Sequence, residues 1–483
     1  MKEYVVSGYK PARFFEFFED ICEIPHGSGN EKAISDYLVA FAKERGIECY
    51  QDEIYNVLYR IPATKGRENE PSVLLQGHTD MVCEKNGETD HDFLTDPLKL
   101  YVDDEGKLRA RGTTLGGDDG VAVAAMMAAA DGLIESHPPL ECLFTVSEEV
   151  GLDGANGFDY SRIRSGILLN MDSEEEDAVI VGCAGGVRSD MLIVPKWQRR
   201  AGSAIEITLK GLKGGHSGED INKGRENANK LMGRILLKCG ALTDLRISLI
   251  AGGSKDNAIP RECAAVVVCP RADADRVIAC AEEEIGAIAK ELSADDAGFV
   301  GTVVRVKRNA LPARMADRVT SERMITLLGS VRNGVLKMSY GVAGFVEWSR
   351  SLGVIETKDD VIRVVFSSRS SIESQLDASI AELDALAHLV GAEITHHGRY
   401  PGWAYSPESP IREKYLRVSK ELGMPATARV IHAGLECGVI ASHLPGLDAI
   451  SFGPNLSDIH SPEEALDLAS TERFWKKLVA LLA

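Results

Sequence analysis

Short apolar runs in the first part of the chain lead directly into residues that can bind a metal ion. Apolar runs of this length, bounded by turn residues, predict buried β-strands. The runs and the residues that follow them are 73–75 with His78 and Asp80, 143–146 with Glu148 and Glu149, and 167–169 with Asp172. An alanine-rich run at 121–130 predicts a buried helix between the first two strands. Together they predict one α/β domain whose histidine and acids converge at one edge of the sheet.

Spacing within these segments limits what each side chain can do. His78 and Asp80 are two positions apart, so in an extended chain they face the same way, and the carboxylate can orient a metal-binding imidazole. Glu148 and Glu149 are neighbours and face opposite ways, so one can bind a metal while the other reaches a water molecule. Solvated loops at the strand ends are the alternative explanation for both pairs.

A glycine-rich turn at 111–120 carries Asp118 and Asp119 into the predicted helix. Glycine lets the backbone approach a ligand closely, and a helix N-terminus favours negative charge. An ordinary helix cap is the alternative, because aspartate is a preferred residue there. One histidine and three carboxylates at one sheet edge would hold a pair of divalent ions that share a carboxylate.

Beyond this first segment the pattern changes to two successive units of strands and helices, each about 100 residues long. We expect a duplicated α+β insert at 187–400, within a domain formed by 1–186 and 401–483. The insert has predicted strands at 204–209, 264–269, 300–306, 361–367 and 393–397, and predicted helices at 224–238, 271–292, 315–328 and 372–390. The last segment returns to an α/β pattern and carries His460, which would complete the metal site.

Composition narrows the class of protein. The 483 residues are 44% hydrophobic and 26% charged, which is ordinary for a globular protein. A formal net charge of −19 disfavours binding to nucleic acid or anionic membranes and suits cationic ligands. We find no secretory signal, no run near the roughly 18 apolar residues of a membrane span, and no paired spacing among the ten cysteines. We therefore expect a cytoplasmic protein with reduced thiols.

Five motifs follow one another along the chain. They are Gln-Gly-His-Thr-Asp-Met-Val at 76–82, Arg-Gly-Thr-Thr-Leu-Gly at 111–116, Lys-Gly-Gly-His-Ser-Gly at 213–218, Asn-Ala-Ile-Pro-Arg at 257–261 and His-Ala-Gly-Leu-Glu-Cys-Gly at 432–438. In this order they resemble the aminoacyl-histidine dipeptidases, a branch of the co-catalytic zinc peptidases that includes peptidase T and the glutamate carboxypeptidases. The resemblance runs nearly end to end. The metal ligands that it implies are His78, Asp118 (bridging), Glu149, Asp172 and His460.

The resemblance also implies a reaction and further site residues. Asp80 would support His78, and Glu148 would be the general base in the hydrolysis of Xaa-His dipeptides, such as β-alanyl-histidine, by a water bridging two divalent ions. Zinc is expected, with cobalt or manganese as alternatives. The substrate contacts that it implies are His216, Asn257, Arg369 and Glu436.

Within that set, His216 would donate a hydrogen bond to the oxyanion, Arg369 would pair with the substrate's C-terminal carboxylate, and Glu436 would hold its amino group. The same scaffold would also suit a tripeptidase, an N-acyl amino acid deacylase or a non-catalytic metal-binding relative. The presence of Glu148 with a full ligand set disfavours the last of these.

Two further expectations come from the resemblance. Relatives usually carry asparagine where this chain has Asp119. Their motif places the ligand first, so Asp118 is expected to bridge, and the peptide bond after it is expected to be cis. Relatives with a single lid dimerise through it, and the partner supplies the active-site histidine. The insert at 187–400 is long enough for two lid units, so we expect His216 to act within its own chain, whether or not a homodimer forms.

Overall fold

The structure is a computed structural model that describes residues 3–199, 201–307 and 312–483. These residues form two compact units. The first unit contains residues 3–183, 403–430 and 435–483, and the second contains the described part of 184–402 together with 431–434. The short segment 431–434 thus packs with the second unit, although the pattern of the sequence places it within the C-terminal segment of the first domain.

Helices and strands alternate along the whole chain. The first part of the first unit has α1 (Ala12–Cys22), α2 (Lys32–Glu44), β1 (Glu48–Gln51), β2 (Val57–Ile61), β3 (Val73–His78), β4 (Leu100–Val102), β5 (Lys107–Ala110), α3 (Gly117–Ala130), β6 (Leu140–Thr145), α4 (Asp153–Gly157), β7 (Ile167–Asn170) and β8 (Ala178–Cys183).

The second unit follows. It has β9 (Gly185–Ile193), β10 (Trp197–Arg199), β11 (Ser203–Lys210), β12 (Gly215–His216), α5 (Ala228–Gly240), β13 (Arg246–Gly252), β14 (Ala258–Ile259), β15 (Cys263–Cys269), α6 (Ala274–Glu291), β16 (Val300–Arg305), β17 (Arg314–Ala316), α7 (Arg318–Ser330), β18 (Gly334–Met338), β19 (Val346–Lys358), β20 (Val361–Ser370), α8 (Glu373–Val390) and β21 (Glu393–Tyr400).

The chain then returns to the first unit. Its last elements are α9 (Pro410–Glu421), β22 (Thr427–Ile431), α10 (Glu436–His443), β23 (Asp448–Ser451), β24 (Leu456–Ser457), β25 (Ala465–Asp467) and α11 (Leu468–Leu482). Within the described residues, no helix has the length and apolar character needed to cross a membrane.

A mixed sheet in the order β1-β2-β6-β3-β7-β23-β8-β22 forms the centre of the first unit. β6, β3, β7 and β23 are parallel neighbours, and β1 and β2 add an antiparallel edge. Every residue of β3 and β6 is buried, as expected for strands covered on both faces. Residues of α1, α3 and α11 share one apolar core with these strands. The predicted α/β domain, with a mixed central sheet flanked by helices, is confirmed.

The register of the parallel strands brings their carboxyl ends together. His78, the last residue of β3, lies opposite Thr145, the last residue of β6. Asn170, the last residue of β7, lies opposite Gln76 of β3. Because parallel strands end on the same side of a sheet, the acidic residues that follow β6 and β7 emerge beside His78.

Helix α3 approaches β3 closely at its first turn. An ideal Cβ placed on Gly77 would lie 2.3 Å from Cβ of Ala122 and 2.4 Å from Oδ2 of Asp119. Gly116, the residue before the helix, has a φ of 71°, a left-handed conformation that glycine adopts readily. Asp118 and Asp119 depart from helical geometry, and the peptide bond between them is cis, as the resemblance implies.

One antiparallel sheet runs through the second unit, in the order β16-β11-β15-β13-β19-β20-β9-β21, with β18 paired to β19. Residues of α5, α6, α7 and α8 share an apolar core with this sheet. Both halves of the predicted insert contribute strands to it. The internal duplication and the functional domain boundaries stay predictions.

The helix predicted at 315–328 differs from the structure at its start. Residues Arg314–Ala316 form β17, and α7 begins only at Arg318. Asp317 caps this helix, because its side chain accepts a hydrogen bond from the main-chain N–H of Thr320. Apolar periodicity does not mark such a cap, which explains the difference.

We predict that Gly77→Ala lowers the free energy of unfolding by about 1–3 kcal/mol, because the added methyl group would overlap Ala122 and Asp119. Gly166→Ala is the matched control, since no atom of the described residues other than Gly166 and its two chain neighbours lies within 4 Å of its ideal Cβ. Urea unfolding of the two metal-free variants measures both effects. Equal stability of the two variants would contradict the close packing of α3 on β3.

Candidate metal centre

Asp118 lies between two histidines from distant parts of the chain. Its Oδ1 is 3.0 Å from Nε2 of His78, and its Oδ2 is 3.3 Å from Nε2 of His460. His460 is 342 positions further along the chain and stands in the loop between β24 and β25 with a φ of 58°. Each oxygen of one carboxylate thus faces a different imidazole, so each can serve a different cation.

Two further carboxylates border the same histidines. Oε1 of Glu149 is 2.9 Å from Nε2 of His460, and Oδ1 of Asp172 is 3.8 Å from Nε2 of His78. Potential ligand atoms of His78, Asp118 and Glu149 all lie within 4.8 Å of one another. The structure therefore brings together the five residues that the resemblance implies as ligands.

Asp119 adds a carboxylate to this cluster. One of its oxygens lies within 4.8 Å of potential ligand atoms of His78 and Asp172. Its Oδ2 is buried and has no hydrogen-bond partner among the described residues, and burial raises the pKa of this carboxyl well above its usual range. The geometry favours Asp118 as the shared ligand, because Asp118 contacts both histidines.

The donor set suits divalent metal ions. Hydrogen bonds to Asp118 and Glu149 raise the pKa of His460 to about 10, and burial raises the pKa of Glu148 to about 8. In the metal-free chain, protons thus neutralise part of the crowded negative charge. Imidazole nitrogens and carboxylate oxygens at this spacing are ligands for zinc and related divalent ions.

Asp80 supports the centre on two sides. Nδ1 of His78 donates a hydrogen bond to the main-chain oxygen of Asp80 at 3.0 Å, which presents Nε2 to the cluster. The Asp80 carboxylate accepts hydrogen bonds from the main-chain N–H groups of Glu148 at 3.0 Å and Glu149 at 3.3 Å. Asp80 therefore orients one ligand directly and holds the backbone of the two glutamates.

The loop before α2 also supports the site, a role that the sequence pattern did not indicate. Oγ of Ser28 donates a hydrogen bond to Oδ2 of Asp80 at 2.7 Å. The Glu31 carboxylate accepts hydrogen bonds from N and Oγ of Ser147 at 3.0 and 2.6 Å. Serine and glutamate commonly make such contacts, but nothing in their spacing shows which segment they will hold.

Glu436 is fully buried in the first unit. Its Oε2 accepts hydrogen bonds from Oγ1 of Thr145 at 2.7 Å and from Nε2 of Gln76, and Gln76 in turn accepts one from Asn170 at 2.7 Å. These bonds connect the carboxyl ends of β6, β3 and β7. Its Oε1 is buried without a hydrogen-bond partner among the described residues, and the contact of Glu436 with a substrate's amino group stays a prediction.

His216 and Asn257 lie together in the second unit. β12 and β14 pair so that His216 faces Ala258, and the main-chain N–H of Ser217 donates to the main-chain oxygen of Asn257 at 2.8 Å. The N–H of Glu219 donates to Nδ1 of His216 at 3.2 Å. The neutral imidazole therefore carries its proton on Nε2, which can act as a donor.

Arg369 is the charged member of a cluster with Tyr400 and His432 in the same unit. Its Nη1 donates to the hydroxyl of Tyr400 at 3.0 Å, while its buried Nε has no partner among the described residues. Burial, followed by the charge of Arg369, lowers the pKa of His432 to about 3. Nε2 of His432 lies 2.7 Å from Oγ of Ser349. The cluster suits a negatively charged group.

The model of peptidase family M20/M25/M40 matches residues 74–483. The chain belongs to this family. One relative is the cytosol non-specific dipeptidase of Escherichia coli (strain K12), which is 38% identical over 487 residues. The alignment covers 99% of this chain and 98% of the relative.

Solved structures agree with this assignment. The crystal structure of aminoacylhistidine dipeptidase from Vibrio alginolyticus is 39% identical and superposes with a TM-score of 0.92, covering 99% of this chain and 98% of that one. Aminopeptidase PepT from Bacillus cereus shares the fold at 17% identity, with a TM-score of 0.57 and 98% of each chain covered. The M20-family chain is a metallopeptidase related to dipeptidases.

We predict that Asp80→Asn weakens zinc binding by about 10–100-fold, because the amide would turn an N–H donor toward the main-chain donors of Glu148 and Glu149. Competition with a chelator measures the affinity. Asp90→Asn, the same change at an exposed position of this M20-family protein, is the control. Unchanged zinc affinity in the Asp80 variant would remove Asp80 from the support of the centre.

We predict that His432 makes the fold sensitive to acid. Its pKa of about 3 in the folded chain lies below the value of about 6.5 for an exposed histidine. The unfolded chain therefore binds more protons in this interval, and stability is lost as the pH falls from about 6.5 toward 3. His432→Gln, which retains a polar atom for Ser349, should lose less stability.

The measurement is urea unfolding of both proteins at about pH 7 and about pH 5. The native chain should lose up to about 1.4 kcal/mol per pH unit more than the His432→Gln variant. An identical pH dependence in the two proteins would contradict the neutral, buried state of His432.

Proposed function

We propose that this chain hydrolyses dipeptides, including those of the Xaa-His type such as β-alanyl-histidine, at a centre of two divalent metal ions. The observation that carries the proposal is Asp118, whose two carboxylate oxygens face His78 and His460. The similarity to the aminoacylhistidine dipeptidase of Vibrio alginolyticus supports the substrate class.

The ions would be held by His78, Asp118, Glu149, Asp172 and His460. His78 would bind through Nε2, since its Nδ1 donates to Asp80. We propose zinc as the ion, and cobalt or manganese would suit the same donors. When bound, such ions lower the pKa of a shared water molecule toward neutrality and polarise the peptide carbonyl.

Glu148 is the proposed general base. Asp80 holds its main-chain N–H, and the residue directly after it, Glu149, contacts His460. The structure differs from the expected extended segment here, because both glutamates lie in a turn after β6 in which the N–H of Gly151 donates to the oxygen of Glu148 at 3.0 Å. The contact with His460 assigns the ligand role to Glu149, which leaves the role of base to Glu148. Its carboxylate would accept the proton of the attacking water and pass it to the nitrogen of the leaving amine.

The proposed substrate contacts of the second unit follow from its hydrogen bonds. His216 carries its proton on Nε2, because its Nδ1 accepts from Glu219, and this donor would stabilise the developing oxyanion. Arg369 keeps its Nε without a partner among the described residues and would pair with the substrate's carboxylate. Asn257 precedes β14, and its main-chain oxygen accepts from the N–H of Ser217, the residue after His216. We propose that it also contacts the substrate.

The name of the Escherichia coli relative, a cytosol non-specific dipeptidase, supports two further proposals, one on location and one on substrate range. We propose that the chain works in the cytoplasm and that it accepts more than one dipeptide. A homodimer is compatible with both proposals and is not needed for either.

A substrate panel tests the proposed function. The zinc-loaded protein should release free histidine from β-alanyl-histidine and should not act at a comparable rate on the N-acetylated dipeptide or on tripeptides. Preference for tripeptides or for acylated amino acids would favour a tripeptidase or a deacylase. A zinc-loaded protein without turnover on any member of the panel would overturn the proposal.

We predict that Glu148→Gln keeps bound zinc while turnover of β-alanyl-histidine falls by about 10²–10⁴-fold, because only the proton transfer is lost. Glu135→Gln, at an exposed position, is the control and should match the native rate. Zinc content by elemental analysis and initial rates are measured on the same samples. Loss of zinc together with turnover would instead make Glu148 a ligand.

A further inference from the structure

Glu464 is a buried carboxylate outside the set of proposed ligands. Only 3% of the surface of Glu464 is exposed. Its Oε2 accepts hydrogen bonds from the main-chain N–H groups of Leu115 at 2.8 Å and Gly116 at 3.3 Å. Its Oε1 accepts from Gly117 at 2.8 Å and lies 3.5 Å from N of Asp118. One side chain thus binds successive amides of the loop that ends in Asp118.

The conformation of this loop explains why its amides need an acceptor. Gly116 has a left-handed φ of 71°, and α3 begins at Gly117. Amides in the first turn of a helix have no partner within the helix, and successive N–H groups beside a left-handed residue point into a common concavity that binds anions. The carboxylate of Glu464 occupies that concavity and leaves no room for a different anion there.

Glu464 also belongs to the segment that carries His460. The strands β24 and β25 pair through Leu456 and Leu466, and the loop between them holds both residues. Within this loop the N–H of Glu464 donates to the oxygen of Ser461 at 3.1 Å. Strand β24, which leads into this loop, also packs on the glycine-rich turn, since an ideal Cβ on Gly117 would lie 2.6 Å from Leu456.

We propose that Glu464 is a positioning residue that ties the two segments of the metal centre together. It sets the backbone of Asp118 relative to His460, so that both oxygens of Asp118 keep the distances at which one carboxylate can serve two cations. The inference rests on the proposed metal centre. A simple helix cap would stabilise α3 without affecting the position of His460. The proposed role of Glu464 differs, because a change at this residue would also alter the geometry of the metal site.

The test uses the full-length chain and cobalt as the probe. Glu464→Gln keeps the size of the side chain and replaces one acceptor oxygen by an amide that faces N–H groups. Glu463→Gln, the same change at the adjacent exposed residue, is the matched control. For each protein, the visible absorption of bound cobalt, its affinity by chelator competition and the urea midpoint of the metal-free form are measured.

We expect Glu464→Gln to bind cobalt about 10–100-fold more weakly, with a changed absorption band, while Glu463→Gln matches the native chain. A Glu464→Gln protein that binds cobalt with native affinity and an unchanged spectrum, and differs only in its urea midpoint, would overturn the inference. A native chain that binds no cobalt would overturn the proposed metal centre itself.

A measurement on the native chain covers the case in which Glu464→Gln does not fold. Hydrogen exchange of the metal-free native protein should show the amides of Leu115, Gly116 and Gly117 exchanging slowly, because Glu464 holds them before any ion binds. Exchange of these amides at the rate of an open loop would overturn the inference without any variant.

Discussion

Repulsion among acidic side chains at one edge of the central sheet is the constraint on which the first unit depends. Asp118 contacts both His78 and His460, Glu149 contacts His460, and Asp172 lies beside His78. Carboxylates this close remain together only where cations or protons offset their charge and where the surrounding bonds prevent them from moving apart. The raised pKa values of His460 and Glu148 show protons in that role when the metal is absent.

A second group of carboxylates supplies the bonds that oppose this repulsion. Asp80 accepts from the amides of Glu148 and Glu149, Glu31 accepts from Ser147, and Glu464 accepts from the loop before Asp118. A buried carboxylate that accepts several main-chain N–H bonds is satisfied without a cation. These acids can therefore surround the centre while the carboxylates without such donors stay available to metal ions.

The difference between these two groups explains what the sequence could predict. His78, Glu149 and Asp172 follow apolar strands, and parallel strands bring their ends together, so hydrophobic pattern alone indicated a common site. His460 follows no such strand directly, so the pattern offered it only as a residue that would complete the site, and the resemblance then implied it as a ligand. Glu31 and Glu464 accept hydrogen bonds from main-chain amides of loops. The spacing of residues predicts a strand, but it does not predict the path of a loop, so these two roles could not be predicted.

The motif at 432–438 shows the same limit in another way. It reads as one continuous element, yet His432 packs in the second unit and Glu436 in the first. Glu436 is occupied by Thr145 and Gln76, which depends on the register of β3 against β6. Neither the change of unit nor the register can be obtained from the motif, so the motif alone could not show that Glu436 accepts bonds at the carboxyl ends of the strands.

Asp119 is the position where local chemistry departs from the relatives named by the resemblance, which carry asparagine there. Burial raises the pKa of its carboxyl well above the usual range, so the metal-free chain favours the neutral acid. A neutral carboxyl has the shape of an amide and, like it, offers a donor and an acceptor. The replacement thus preserves the volume of the side chain in the tight space over Gly77, and the geometry leaves the role of shared ligand to Asp118, which contacts both histidines.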